Sequence, residues 1–273
     1  MQTVRNRVAD ILGIDLPIVQ APMNYIAGHA LAAAVSAAGG MGVLGPNAGK
    51  VQGEEISMRE RTLREFARIR EVTDKPVGIN VVVPDGENKA ALMYARSTVE
   101  AAAEGGATAA FCVGGLQPTI FELIKEKGMK LIVRPLTPTV KNAREAQAMG
   151  ADIFVATGYD AGGFLPSHHT GTFSIVPTIV DAVTIPVLAA GGINDLRGVR
   201  AAFALGAEGV YVGTRFIATN ECAANDHAKE LICKLSGSNL LYVDETQRSL
   251  PTEFAAEAYV KHRLAPTVPT TVD

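Results

Sequence analysis

Short, almost unbroken apolar runs recur along the chain, and each gives way to a stretch that reads as a helix. The runs are PIVQAPM (17–23), MGVLG (41–45), PVGINVVV (76–83), ATAAFCVGG (107–115), KLIVRPL (130–136), ADIFVATG (151–158), IPVLAAGG (185–192) and GVYVGTRF (209–216). After them stand HALAAAVSAAG, MRERTLREFARIREVT, NKAALMYARSTVEAAAEGG, PTIFELIKEKG, TVKNAREAQAMG, SIVPTIVDAV, DLRGVRAAFALG and HAKELICKLS. A strand that is apolar on both faces is one buried between two layers. Parallel strands need helical crossovers to join them. Eight such units predict an α/β fold, a (β/α)8 TIM barrel with a short C-terminal extension; an open doubly wound sheet is the alternative. No linker divides the chain, so residues 1–273 read as one domain, with RLAPTVPTTVD (263–273) as a flexible tail or surface strap.

Composition narrows the choice of partner. A chain of 273 residues with 48% hydrophobic content can bury a large core. A formal charge of −3 and no basic stripe argue against nucleic acid. Cys112, Cys222 and Cys233 are far apart, with no CxxC and no Cys/His ligand spacing. That predicts neither a metal site nor a disulfide framework, and fits a reducing cytoplasm. The opening MQTVRNRVADILGIDLP carries charges inside its apolar pattern, unlike a signal peptide. No window approaches the ~18 uncharged apolar residues of a membrane span.

In a closed parallel barrel the reactive groups sit at the C-terminal ends of the strands. AAGGIND ends the seventh run and GTRF the eighth. Glycines there let backbone N–H groups approach an anion, and barrels of this kind hold phosphate in these two loops. Gly191, Gly192, Gly213 and Thr214 are therefore candidates for a phosphate site, unless they only make tight turns. Arg134 ends the fifth run, where a cation is costly without an anion. It reads equally as a barrel salt bridge or as a cation beside a cofactor or anionic substrate. Cys112 reads as a small buried apolar residue. The loop ATGYDAGGFLPSHH, from Ala156, carries the densest chemistry in the chain.

The ordered motifs NRVADILGIDLPIVQAPM, LAAAVSAAGGMGVLG, VGIN, DAGGF, IPVLAAGGIND and LGAEGVYVGTRFIAT resemble the nitronate monooxygenase family, once called 2-nitropropane dioxygenases. FMN-dependent enoyl-ACP reductases are similar. The resemblance implies FMN at the barrel mouth. Ala21, Pro22 and Met23 would line its ring, and Asn80 would stand near its polar edge. Arg134 falls where the family usually has a lysine near the flavin, and a cation there favours negative charge on the ring. Thr157 falls where the family has a glutamine or acid that hydrogen-bonds the cofactor. Gly162 and Gly163 match the glycines beside the ring, and the phosphate falls on Gly191, Gly192, Gly213 and Thr214. The family's catalytic histidine is replaced by Phe164, which cannot move a proton. His168 or His169 could fold back to replace it; exposed loop histidines are the alternative. Tyr25, Tyr159 and Asp160 are further polar candidates.

The activity implied is an FMN-dependent oxidoreductase of a small molecule, with dioxygen reoxidising the flavin. An NAD(P)H-dependent quinone or enoyl-thioester reductase is the first alternative, and a flavin-binding protein without turnover the second. A flavin-free barrel acting on a sugar phosphate is the outlying case. The family often covers its flavin with a further helical subdomain. The short segment after Phe216 predicts a small cover, or one supplied by a second subunit in a homo-oligomer.

Overall fold

The structure is a computed structural model that describes residues 6–264. Its eight barrel strands are β1 (Ile18–Gln20), β2 (Gly42–Leu44), β3 (Val77–Val83), β4 (Ala109–Gly114), β5 (Lys130–Arg134), β6 (Ile153–Thr157), β8 (Val187–Ala190) and β9 (Gly209–Val212). A two-residue strand, β7 (Gly163–Phe164), lies outside the barrel. The barrel strands are parallel, in the order β1-β9-β8-β6-β5-β4-β3-β2. The ring closes between β1 and β2 through a bridge of Val19 to Met41. There Gln20 N–H donates to the Met41 carbonyl (3.0 Å) and Met41 N–H to the Ile18 carbonyl (2.9 Å). The predicted (β/α)8 barrel is the observed fold.

The crossovers are α2 (His29–Ala37), α3 (Met58–Arg70), α4 (Lys89–Glu104), α5 (Pro118–Glu126), α6 (Val140–Ala148), α7 (Thr172–Val180) and α8 (Leu196–Ala204). Local chemistry sets several starts. Ser57 and Glu60 form a capping box on α3, Thr139 and Asn142 one on α6, and Asp195 caps α8. Pro118 opens α5, where its missing N–H is harmless. A short helix, α1 (Arg7–Leu12), closes the N-terminal end of the barrel, with Val8 and Leu12 joining the inner core. No helix among the described residues is long and apolar enough to cross a membrane.

The core has two shells. Val19, Val43, Phe111, Ile132, Val155, Leu188 and Tyr211 fill the barrel; a second cluster packs between strands and helices. Gly78 is required by the inner shell, because a Cβ there would lie 2.5 Å from the Phe111 ring. Strand parity then fixes the next layer up. On β3, β5 and β6 the inward positions above this shell are Asn80, Arg134 and Thr157.

After β9 come α9 (Thr214–Ile217), α10 (Asp226–Lys234), a 3₁₀ turn (Gly237–Asn239), β10 (Leu241–Asp244), β11 (Gln247–Ser249) and α11 (Glu253–Leu264). The β10–β11 hairpin pairs with β7 in a small antiparallel sheet. This is the short C-terminal extension. Arg263 and Leu264, at the start of the predicted tail, belong to α11; residues 265–273 lie outside the described residues.

Candidate active site

The barrel mouth gathers three buried polar side chains, each with an atom that has no partner among the described residues. Asn80 is 6% exposed and Thr157 2% exposed. Asn80 Nδ2, Arg134 Nε and Thr157 Oγ1 are buried and have no hydrogen bond among the described residues. Orphans of this kind are rare in folded proteins, because each forfeits its bonds to water. Three of them on one layer, in the middle of β3 and at the ends of β5 and β6, describe a surface built for a polar guest. No carboxylate pairs with Arg134 among the described residues, so the barrel salt bridge is not realised. Burial lowers the Arg134 pKa, and attraction to Tyr211 opposes that shift. Burial also raises the Tyr211 phenol, which keeps it neutral beside the guanidinium.

The glycine rim assembles next to this layer. Gly191 (φ 107°) and Gly192 (φ 70°) both have left-handed backbone, which favours glycine. A Cβ on Gly191 would lie 2.7 Å from Thr172 Oγ1, and one on Gly162 would lie 3.0 Å from Thr214 Oγ1. The loop after β6, the end of β8 and the end of β9 therefore meet at one edge. Gly213 precedes α9, and its Cβ position is 3.7 Å from Ala21 Cβ and 3.9 Å from Met23 Sδ. That brings the APM loop to the same rim. The fit to a mononucleotide is consistent: backbone amides and a hydroxyl for the phosphate, orphaned polar atoms for the ring, and small residues between them.

Several candidates are otherwise engaged. Asp160 accepts the Thr172 N–H (2.6 Å) at the start of α7. Tyr159 lies between the His169 ring (centroids 4.3 Å apart) and the Tyr242 ring (6.1 Å, interplanar 14°). Burial is the main cause of its raised pKa, with Tyr242 adding to it. His168 and His169 are exposed, and neither imidazole makes a hydrogen bond among the described residues. Phe164, 63% exposed, sits on β7 opposite Gln247. Tyr25 is half-exposed with φ 63°, a strained conformation for a bulky residue, in the loop after β1. Cys112 is buried, and burial raises its pKa, so it is no nucleophile.

Two contributors escaped the sequence. Gln20 is fully buried at the barrel seam; its Oε1 accepts the Val43 N–H (2.9 Å) and its Nε2 donates to the Ala21 carbonyl (2.5 Å). Arg248 on β11 donates through Nη2 to the carbonyls of Asp160 (2.6 Å) and Ala161 (2.5 Å), clasping the loop after β6. The β-prone LYV ahead of the polar DETQRS was the available signal for that hairpin.

A parallel eightfold barrel whose glycine-rich βα loops surround a buried polar mouth has the architecture of a barrel enzyme with its site at the C-terminal face. A profile of the nitronate monooxygenase family matches residues 5–270. The chain belongs to the nitronate monooxygenase family, a family of flavin-dependent oxidoreductases. It is 34% identical over 235 residues to the (3aS,4S,5R,7aS)-5-hydroxy-7a-methyl-1-oxo-octahydro-1H-indene-4-carboxyl-CoA dehydrogenase of Rhodococcus jostii (strain RHA1), covering 84% of this chain and 60% of that protein. It is 31% identical over 264 residues to a Staphylococcus saprophyticus protein named "Probable nitronate monooxygenase", covering 83% of this chain and 72% of that one. Among solved structures, FabK from Thermotoga maritima superposes with a TM-score of 0.79 at 34% identity, over 93% of this chain and 77% of that one. The chain thus spans about 60% of the length of the Rhodococcus relative.

Proposed function

We propose that the protein is an FMN-dependent oxidoreductase that takes electrons from a small substrate and passes them to dioxygen. The observation that carries this reading is the trio of orphaned polar atoms on Asn80, Arg134 and Thr157 beside the glycine rim. Family membership supports the flavin, and the rim supports a mononucleotide with a terminal phosphate. When bound, FMN supplies the redox chemistry, accepting electrons from the substrate and releasing them to dioxygen. The chain's own residues bind and orient. Gly191, Gly192, Gly213 and Thr214 take the phosphate. Ala21, Pro22, Met23, Gly162 and Gly163 take the faces and edge of the ring. Asn80 and Thr157 hydrogen-bond its polar rim, and Arg134 holds negative charge there. Where the reaction needs a proton moved, His168 or His169 moves it, since Phe164 cannot. Three free cysteines suit a cytoplasmic setting.

Phe164 also favours a second reading. Hydride transfer from NAD(P)H needs no base at that position, and the likeness to FabK is consistent with a reductase. Anaerobic mixing separates the two. FMN-loaded protein under nitrogen should lose its visible flavin band on adding an alkyl nitronate. Rapid bleaching by NADH alone would transfer the assignment to the reductase, and bleaching by neither would overturn both.

A further inference from the structure

The arginine of the C-terminal hairpin grips the loop after β6 by two successive carbonyls. Arg248 Nη2 donates to the Asp160 carbonyl (2.6 Å) and to the Ala161 carbonyl (2.5 Å). The rest of the residue is fixed as well. The guanidinium carbon lies 5.8 Å from the centre of the Tyr242 ring, and Nη1 is 3.4 Å from the Tyr242 hydroxyl. The Arg248 backbone pairs with Gly163 in the β7–β11 ladder. The nearby Asp160 carboxylate is turned the other way, to the Thr172 N–H (2.6 Å). The guanidinium is thus committed to two neutral carbonyls.

The consequence lies in the peptide planes. A trans peptide directs its carbonyl and its N–H to opposite sides. The Asp160 carbonyl faces Arg248, so the Ala161 N–H faces away from the hairpin. It donates to the Gly158 carbonyl (3.1 Å), and a Cβ on Gly191 would lie 3.3 Å from the same nitrogen. The side away from Arg248 is therefore the side of the glycine rim. The Ala161 carbonyl converges on the same Nη2, so the next N–H, that of Gly162, is turned toward the rim too. It donates to nothing among the described residues. A Cβ on Gly162 would lie 3.0 Å from Thr214 Oγ1, which puts this residue beside the candidate phosphate hydroxyl. With Arg248 removed, these planes could rotate, and a rotated plane offers an anion its carbonyl oxygen instead of its N–H.

We propose that Arg248 is a positioning residue for the anion site. By holding the Asp160 and Ala161 carbonyls on the hairpin side, it presents the Gly162 N–H to a phosphate on Gly191, Gly192, Gly213 and Thr214. Backbone N–H groups oriented in this way form anion-binding concavities. The inference rests on the mononucleotide reading and refines it: Gly162 moves to the phosphate end of the guest, and Gly163 stays at the ring. The C-terminal extension then contributes to the site without touching the cofactor.

The test compares FMN with riboflavin, which lacks the phosphate, by quenching of flavin fluorescence. Arg248→Met should weaken FMN about tenfold, the loss of one charge-assisted bond. Riboflavin affinity should not change, because the backbone pairing of Gly163 survives. Arg248→Lys should restore most of the loss, since one ammonium can donate to both carbonyls. Gly162 lies outside the left-handed region, so Gly162→Pro can remove the N–H while leaving Arg248 in place. It should weaken FMN as Arg248→Met does, and the double variant should be no weaker than either single one. Additive losses would mean that Arg248 acts on the phosphate by its charge alone, and would overturn the proposal. If Gly162→Pro does not fold, salt decides the same point: an Arg248→Met loss that vanishes at about 0.5 M sodium chloride is long-range charge, and one that persists is the oriented N–H. Equal losses of FMN and riboflavin, or no loss in a folded Arg248→Met, overturn the proposal as well. Calorimetry with inorganic phosphate on the FMN-free protein reads the rim alone. Phosphate binding that depends on Arg248, in a protein that takes neither flavin, sinks the flavin reading and keeps this one.

Discussion

Arg134 carries a charge into the barrel with no carboxylate among the described residues to meet it, so its cost and its use can be measured separately. Arg134→Met removes a desolvated cation, and the FMN-free protein should become more stable by on the order of 1–3 kcal/mol. The same change should weaken FMN about tenfold or more. A chemical denaturation curve and a flavin fluorescence titration check the two signs; a loss in both would make Arg134 a structural residue. Phe164→His should leave the melting temperature unchanged, because Phe164 is 63% exposed. It should raise turnover of a substrate that must lose a proton by about 10²-fold, the ordinary worth of a positioned base. Steady-state rates on a nitroalkane would check this, and an unchanged rate would show that no substrate proton lies within reach of that position. Arg134 was legible in the sequence because a cation closing an apolar run stands out. Asn80 and Thr157 were reached only through family resemblance. VGINVVV is apolar on both faces, so nothing in it says which residues face the barrel interior, and the packing of Phe111 against Gly78 settles that only in three dimensions.

Among the elements, the β10–β11 hairpin is the part the sequence concealed. Its strands are short and half polar, and it gains its place from pairing with β7 rather than from a core of its own. Leu165 N–H donates to the Thr246 carbonyl (2.7 Å), and Arg248 spans the same loop. Arg248→Ala should therefore open the loop locally while the barrel holds. Hydrogen exchange at Leu165 should accelerate about tenfold or more, the loss of bonds to a charged donor. Exchange in β4 and β5 should not change. Uniform acceleration across the barrel would mean that the hairpin supports the whole fold. The eight barrel units were legible for the opposite reason: strands buried on both faces write themselves as continuous apolar runs.

For the whole molecule, burial of ionisable groups in the two shells of the core sets an alkaline limit. Cys112 and Tyr211 are both raised by burial from ordinary values of 9.0 and 10.0. Above those values the unfolded chain releases protons that the folded chain retains. Stability is therefore full below about pH 9 and falls as pH rises toward the folded-state values. Thermal melts between pH 8 and about 11 should show a steady fall, and a flat profile would mean that these groups ionise in place. Native alkylation at neutral pH should modify exposed Cys233 and spare Cys112 and Cys222. The mouth as a mononucleotide site is the central claim, and a crystal structure of the FMN complex tests it most directly. It should place the phosphate within hydrogen-bonding distance of the backbone N–H groups of Gly192 and Gly213, with the ring's polar edge on Asn80, Arg134 and Thr157. Density for FMN anywhere else, with that rim empty in saturated crystals, would contradict it.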